Sequence, residues 1–184
     1  YEISPRDWSS DVCSSDLLDK KPEIALKEGR RLENVRGEIK FDDVKFSYPS
    51  RPDIEVLRKV KFTLKPGMTM ALVGQSGSGK SSIASLLARM YDPQSGHIFL
   101  DGNNIKELEP NWLRQQIGVV AQEPILISAT IEENILYGNQ TAIFSEVEKA
   151  ARESNAEIFI NNFPERYKTL VGERGIQLSG GQKQ

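Results

Sequence analysis

The chain has 184 residues, of which 38% are hydrophobic and 27% are charged, a composition typical of a globular protein. The 24 basic and 26 acidic side chains leave a formal net charge of −2, so no overall field attracts nucleic acid or an anionic membrane. No apolar run approaches the roughly 18 to 20 residues that a membrane-spanning helix needs. These bulk properties disfavour a nucleic-acid partner and a membrane span within the chain.

The N-terminal residues do not resemble part of a folded domain. Residues 7–17, DWSSDVCSSDL, back-translate without a gap into a common short-read sequencing adapter, and we interpret this stretch as translated adapter. The alternative is a disordered linker rich in Ser and Asp, since such a composition cannot bury a core. On either interpretation, residues 1–17 are an artefactual or disordered leader, and the single cysteine, Cys13, carries no functional weight.

The first predicted elements follow a charged segment. Residues 18–37 are weakly patterned, as expected of a linker that enters a domain. Apolar residues alternate over 39–46 but change phase near the middle, which predicts a strand with a bulge. A second strand is expected at 60–64, and the apolar run 68–73 predicts a buried parallel strand.

The next elements alternate between helix and strand. Apolar residues from Ile83 to Met90 fall at i, i+3, i+4 and i+7, which predicts a helix that Pro93 ends. This helix is followed by a predicted strand at 97–100, a helix at 111–116 and a short buried strand at 118–121. The alternation indicates an α/β fold with a parallel sheet. Beyond it, the sequence predicts a helical subdomain inserted into the sheet-based core, with helices at about 130–136, 142–155 and 157–162.

A phosphate-binding motif lies between the strand at 68–73 and the helix that follows it. The pattern is G-x-x-x-x-G-K-[ST], and the strand-loop-helix context is the one that this motif requires. Glycines let the loop curl so that backbone N–H groups point at phosphate oxygens, and the helix adds its positive dipole end. The motif predicts that Lys80 reaches the β and γ phosphates and that the Ser81 hydroxyl ligates Mg²⁺. The predicted loop consists of Gly74, Gln75, Ser76, Gly77, Ser78, Gly79, Lys80, Ser81 and Ser82. A flexible Gly/Ser turn is the structural alternative.

A second motif, LSGGQ, begins at Leu178. With both motifs, the chain resembles the ATP-binding cassette (ABC) ATPase family. In that family the signature contacts the γ-phosphate of ATP held by the opposite subunit, so the resemblance implies a head-to-tail dimer with a second ABC ATP-binding domain. The residues implied at this contact are Ser179, Gly180, Gly181 and Gln182. Considered alone, LSGGQ could be only a cap at a helix start.

The resemblance assigns three further residues to the ATP site. Gln122 matches the glutamine of the family's Q-loop, whose carbonyl oxygen ligates Mg²⁺ or orients water, so Lys80 and Gln122 are the implied catalytic residues. Tyr48 matches the aromatic residue that stacks on adenine, and Val56 is expected to flank the same base. The structural alternatives are a polar strand end for Gln122 and a half-buried strand residue for Tyr48. His97 is expected to be a surface strand residue and not the family's switch histidine.

Two segments point to the exporter branch of the family, which includes multidrug pumps and mitochondrial or peptide half-transporters. Residues 169–175 resemble the segment that exporters use at the interface with the membrane domain, and residues 48–53 match the same branch. The resemblance therefore implies a transmembrane domain as a partner. It also implies a protein that is membrane-associated through its parent transporter, with the ATP-binding domain on the cytosolic or mitochondrial matrix side. A solvated charged loop is the alternative for Glu173 and Arg174.

The resemblance also implies a domain organisation. The expected fold is α/β, a P-loop NTPase (RecA-like) core with a parallel sheet, an N-terminal antiparallel β subdomain and the inserted helical subdomain. Residues 18–37 correspond to a linker from a transmembrane domain, and 38–184 to a partial ATP-binding domain. Within that domain, the core and β subdomain cover about 38–122 and the helical subdomain about 123–184.

The resemblance stops shortly after the signature motif, so we expect the domain to be incomplete at the C-terminus. The family's Mg²⁺-associated Asp, its catalytic Glu and its switch His would all follow this point. The full-length parent is thus expected to be an ATPase that drives export, while the 184 residues alone are expected to be nearly inactive. Two alternatives stay open: a soluble ABC-type ATPase of DNA repair, chromosome organisation or translation, and a nucleotide-binding module that does not hydrolyse ATP.

Overall fold

A computed structural model of the chain describes residues 24–25, 27–173 and 176–184. The predicted leader 1–17 and the first part of the predicted linker lie outside the described residues. The chain divides into two compact units, one ending at Gly118 and the other running from Val119 to Gln184.

Among its described residues, the first unit contains one antiparallel sheet of four strands. In chain order these are β1 (Ile39–Phe46), β2 (Leu57–Leu64), β3 (Ser95–Leu100) and β4 (Asn103–Asn104), and their spatial order is β2-β1-β3-β4. The register of β1 against β2 shifts between Phe41 and Val44, and Asp43 between them has a φ of 50°. The sequence prediction of a bulged first strand is therefore confirmed, because the change of phase marks the extra residue of the bulge.

The described part of the first unit also contains two short α-helices and a 3₁₀ turn. They are α1 (Lys80–Leu87), the 3₁₀ turn Ile105–Glu107 and α2 (Pro110–Gln115). Helix α1 ends earlier than the sequence predicts, well before Pro93. Arg114 of α2 donates to the carbonyl oxygens of Ala88 at 3.0 Å and Arg89 at 2.8 Å, and Arg89 has a φ of 49°. The chain therefore turns at Arg89, where a neighbouring side chain satisfies the carbonyl groups beyond the helix end.

The core of this unit lies between the sheet and the short helices. Phe41 stacks on Phe62 of β2 with ring centroids 4.6 Å apart. The bulge changes which residues of β1 face inward, so that Phe41, Val44 and Phe46 are all buried. The buried residues are Phe41, Val44, Phe46, Leu57, Leu86, Ile98, Leu100, Ile105, Leu108, Trp112 and Leu113.

The expected parallel strands are the main departure from the sequence prediction. Residues 68–73 and 118–121 form no strand, and within the described part of the chain the only sheet is the antiparallel one. Both runs are exposed, with Val73 at 93% and Val120 at 76%. A strand needs a neighbour for its N–H and C=O groups, and no strand among the described residues pairs with either run. The α/β class and the antiparallel β subdomain are confirmed, whereas the predictions of a strand at 68–73 and at 118–121 are wrong.

The end of the predicted linker is attached to the first unit. The backbone N–H of Arg30 donates to the Glu107 carbonyl oxygen at 2.9 Å, and that of Glu109 donates to the Arg30 carbonyl oxygen at 3.0 Å. The Arg31 guanidinium pairs with the Glu109 carboxylate and holds the pKa of that group below its usual value. Residues from Arg30 onward therefore belong structurally to the unit, although their composition predicts a linker.

The carboxylate of Asp101 secures the same segment. It accepts hydrogen bonds from the backbone N–H groups of Arg36 at 2.7 Å, Gly37 at 3.2 Å and Glu38 at 2.8 Å. Burial raises the pKa of Asp101, but the hydrogen bonds from Glu38, Arg36 and Gly37 outweigh it and leave the pKa below its ordinary value. The carboxylate between β3 and β4 thus fixes the chain as it enters β1.

The second unit is helical. Its α-helices are α3 (Ile131–Leu136), α4 (Phe144–Glu153), α5 (Glu157–Asn161) and α6 (Gly180–Lys183), with a 3₁₀ turn at Arg166–Lys168. Helix α3 begins with a capping box, in which the Glu133 N–H donates to the Thr130 hydroxyl at 3.1 Å and the Thr130 N–H donates to the Glu133 carboxylate at 2.8 Å. The buried residues of this unit are Ile131, Val147, Ala151, Ile160, Tyr167 and Val171. None of the helices in the described ranges is long and apolar enough to cross a membrane.

Candidate functional site

The loop between residue 74 and helix α1 has the backbone of a phosphate-binding loop. Gly77 has a φ of 81° and Gly79 a φ of 89°, both in the left-handed region that glycine adopts without strain. The Ser78 N–H donates to the Gln75 carbonyl oxygen at 3.2 Å, which closes a turn. Gly79 is the N-cap of α1, so the loop leads directly into the positive end of the helix dipole. The N–H groups of the first turn of α1 have no partner within the helix and are available to an anion.

Lys80 places its charge over this loop. Its ammonium nitrogen Nζ donates to the carbonyl oxygens of Gly74 and Gln75, each at 2.7 Å. The side chain therefore folds back over the loop instead of extending along the helix. Ser81 is exposed and Ser82 is buried, so the two hydroxyl groups next to Lys80 face different surroundings. A cation and a row of backbone N–H groups at one point are suited to binding phosphate.

The start of β2, with the residue before it, lies against the same loop. A Cβ atom at Gly79 would be 2.6 Å from Leu57 Cδ2 and 3.2 Å from Val56 Cγ1. The Val56 N–H in turn donates to the Phe46 carbonyl oxygen at 2.8 Å, which holds Val56 beside the end of β1. The structure thus brings Val56 to the loop, and the close contact leaves no room for a side chain at position 79.

Tyr48 also lies at this loop. Its hydroxyl group is 2.9 Å from the Ser82 hydroxyl, and its ring packs edge-on against Phe46 at a centroid distance of 4.9 Å. Tyr91 packs edge-on against the same ring at 5.3 Å. No sequence motif singles out Tyr91, since the only signal for it is an aromatic residue shortly after the predicted helix.

The remaining predicted site residues lie in the second unit. Gln122 is exposed, and because 118–121 is not a strand, Gln122 does not end one as predicted. Its carbonyl oxygen accepts from Gln184 Nε2 at 3.3 Å. In the signature motif, the Ser179 hydroxyl accepts from the Gln182 N–H at 3.3 Å and the Gln182 side chain accepts from the Ser179 N–H at 3.0 Å. The motif therefore begins α6 with a capping box, and Gly180 and Gly181 are exposed in its first turn.

Two further predictions concern residues outside the loop. In the segment predicted to contact a membrane domain, Thr169 and Val171 are buried while Glu173 is exposed, and Arg174 and Gly175 lie outside the described residues. His97 is exposed on β3, with Nδ1 3.1 Å from Asn104 Nδ2. The prediction that His97 is a surface strand residue is confirmed.

The donor groups at the loop suit a hard cation that is bound together with phosphate. The Ser81 hydroxyl stands at the first turn of α1, and a hydroxyl oxygen is an oxygen ligand of the kind that Mg²⁺ prefers. Within the described ranges, no group of three or more His, Cys, Asp or Glu side chains could hold a metal ion by protein ligands alone. A site that combines one protein oxygen with substrate phosphates is compatible with this arrangement.

Comparisons with known proteins give a family match and several relatives. The model of the ABC transporter family matches residues 57–184. The chain is 52% identical over 170 residues to ABC transporter B family member 4 of Dictyostelium discoideum, covering 92% of this chain and 22% of that protein. It is also 52% identical over 170 residues to the mitochondrial potassium channel ATP-binding subunit of Xenopus tropicalis, covering 92% of this chain and 25% of that protein.

A solved structure shows the same fold. The structure of a bacterial Atm1-family ABC exporter with ATP bound superposes with a TM-score of 0.82 at 40% identity, covering 91% of this chain and 29% of that chain. The chain therefore spans about a quarter of the length of these relatives.

Proposed function

Because the chain belongs to the ABC transporter family, we propose that it forms the ATP-binding part of a transporter that uses ATP to export a substrate across a membrane. The observation that carries the proposal is the loop 74–82, with its two left-handed glycines and the Lys80 ammonium at the start of α1. The similarity to ABC transporter B family proteins and to an Atm1-family exporter supports transport over a soluble ABC-type ATPase.

In the proposed site, the phosphates of ATP bind at the N–H groups of the loop and at Lys80. The phosphates would compete with the Gly74 and Gln75 carbonyl oxygens for the ammonium group, since Lys80 has only three N–H donors. Ser81 would hold Mg²⁺, which neutralises charge on the phosphates. The Tyr48 ring and Val56 would contact the adenine base beside the loop, where apolar area suits a flat ring.

The second part of the proposal concerns partners. Gln122 would act at the Mg²⁺ and water, and Ser179, Gly180, Gly181 and Gln182 would contact the γ-phosphate of ATP in a second ABC ATP-binding domain. A head-to-tail dimer with two shared ATP molecules follows from this arrangement. ATP that binds the closed dimer more tightly than the open one shifts the equilibrium, which moves an attached transmembrane domain. Such a protein would lie at a membrane, with the ATP site on its cytosolic or matrix side.

The decisive experiment is ATP binding by Lys80→Ala. Isothermal titration calorimetry with ATP and Mg²⁺ on the 184-residue chain should show binding that the substitution weakens by at least about tenfold, since charge-assisted contacts to phosphate contribute roughly 1.5–3 kcal/mol. The matched control is Lys65→Ala, which removes an exposed lysine of the same unit outside the loop. Equal affinities for Lys80→Ala and Lys65→Ala would contradict the proposed site.

A further inference from the structure

Three aromatic residues meet beside the phosphate-binding loop. Tyr48 packs against Phe46 at a centroid distance of 4.9 Å with the ring planes at 73°, and against Tyr91 at 5.3 Å with the planes at 87°. Phe46 and Tyr91 also contact each other at 5.6 Å. The Tyr48 ring thus makes T-shaped contacts with two other rings, a geometry in which aromatic pairs attract.

A hydrogen bond restrains the same ring at its far end. The Tyr48 hydroxyl is 2.9 Å from the Ser82 hydroxyl, and the side chain of Ser82 is buried on the first turn of α1. A buried hydroxyl that loses its partner costs more than the bond contributes, so this contact is strongly preferred once formed. The orientation of the ring is therefore set by an edge contact and by a hydrogen bond together.

Both restraints come from the segment that carries the loop. Ser82 belongs to α1, and Tyr91 follows the turn that ends α1 at Arg89. Phe46 stands at the end of β1, and its carbonyl oxygen accepts from the Val56 N–H. The ring of Tyr48 is consequently connected to the helix that presents the phosphate-binding N–H groups, while the loop 49–55 that follows Tyr48 is exposed.

We propose that Tyr91 and Ser82 are positioning residues that hold the Tyr48 ring in the orientation for stacking on the nucleotide base, and that they couple base binding to helix α1. The proposal rests on the proposed function, in which Tyr48 contacts adenine. A ring that is already oriented loses less rotational freedom when the base binds, so the two restraints raise the affinity for nucleotide. Tyr91 acts through its T-shaped contact with the Tyr48 ring, and Ser82 acts through its hydroxyl group.

The test compares two ligands on the 184-residue chain: ATP and inorganic tripolyphosphate, each with Mg²⁺, measured by isothermal titration calorimetry. Tripolyphosphate has no base, so it reports the loop alone. Tyr91→Ala should lower the affinity for ATP about three- to tenfold, the range expected for losing a T-shaped aromatic contact. The affinity for tripolyphosphate should be unchanged. Tyr91→Phe keeps the ring and should restore ATP affinity. The matched control is Tyr137→Ala, which removes an exposed tyrosine of the other unit and should change the affinity for neither ligand.

The hydrogen bond is tested by a double-mutant cycle. Tyr48→Phe and Ser82→Ala should each lower the ATP affinity by about two- to fivefold relative to the tripolyphosphate affinity. The double variant should lose no more ATP affinity than either single variant, because both substitutions remove the same hydrogen bond. Additive losses would overturn the role of Ser82.

The remaining outcomes separate this proposal from the proposed function. If Tyr48→Ala lowers the ATP affinity relative to tripolyphosphate while Tyr91→Ala does not, the positioning role of Tyr91 is wrong and the base contact stands. If Tyr48→Ala leaves the ratio of the two affinities unchanged, the base contact itself is wrong and the positioning role falls with it. An equal loss of both ligands in Tyr91→Ala would mean a general structural role and would also overturn the proposal.

Discussion

Two glycines of the loop 74–82 allow a sharp test, because they share a positive φ but not their surroundings. Gly77 and Gly79 have φ values of 81° and 89°, which an alanine adopts only with strain. A Cβ atom at Gly77 would meet nothing within 4 Å, whereas one at Gly79 would lie 2.6 Å from Leu57 Cδ2. Gly77→Ala therefore adds backbone strain alone, and Gly79→Ala adds the same strain together with a steric clash.

The difference between the two variants follows from these contacts. A left-handed conformation costs an L-residue about 1–2 kcal/mol, so Gly77→Ala should reduce the free energy of unfolding by roughly that amount. Gly79→Ala must also displace Leu57, which is 2% exposed in the core. Overpacking of this kind costs about 1–3 kcal/mol more, for a total of roughly 2–5 kcal/mol.

Urea unfolding, followed by the fluorescence of buried Trp112 in the same unit, measures both losses. Both variants should also bind ATP more weakly than the unmodified chain, because each disturbs the direction of the loop N–H groups. A Gly77→Ala variant destabilised as much as Gly79→Ala would refute the reasoning, since the steric term would then be absent.

Three further outcomes are expected. Leu113→Ala, at a position with no exposed surface, should lower the free energy of unfolding in urea by about 2–5 kcal/mol. Ile125→Ala, at a position 93% exposed, should change it by less than about 0.5 kcal/mol. Similar losses in the two variants would contradict the assigned core. Thr130→Ala should cost about 0.5–2 kcal/mol in the same assay through the cap of α3, and no change would mean that the capping box adds nothing. Asp101→Asn should flatten the dependence of stability on pH near pH 4. The folded pKa of Asp101 is below its ordinary value of 3.8, so its contribution is present above that value and is lost as the pH falls through the folded pKa. If thermal melts at low pH show the same loss of stability in Asp101→Asn as in the unmodified chain, the Asp101 carboxylate does not stabilise the fold in this way.

The part of the site that the sequence predicts is the part that local chemistry specifies. A left-handed turn at Gly77 and Gly79, followed by Lys80 at a helix start, depends on neighbours in the sequence, and the structure has this geometry. The sequence likewise predicts the bulge in β1, because a change in the alternation of apolar residues marks the extra residue. The capping box at Ser179 also follows from residues close together in the chain.

What the sequence could not decide are features that depend on partners distant in the chain. The apolar run 68–73 has the composition of a strand, yet strand formation depends on a hydrogen-bonded neighbour, and no described residues supply one. The charged segment from Arg30 to Gly37 has the composition of a linker, yet Glu107, Glu109 and the Asp101 carboxylate bind it.

By itself, then, the sequence determined the phosphate-binding loop, the signature motif and the bulged first strand, because each is specified by residues within a few positions of one another. Only the tertiary structure decided that Tyr91 and Ser82 hold Tyr48, that Gly79 must lack a side chain beside Leu57, and that the segment entering β1 belongs to the folded unit. Contacts of this second kind depend on which surfaces the fold places side by side, and no local pattern in the chain encodes that arrangement.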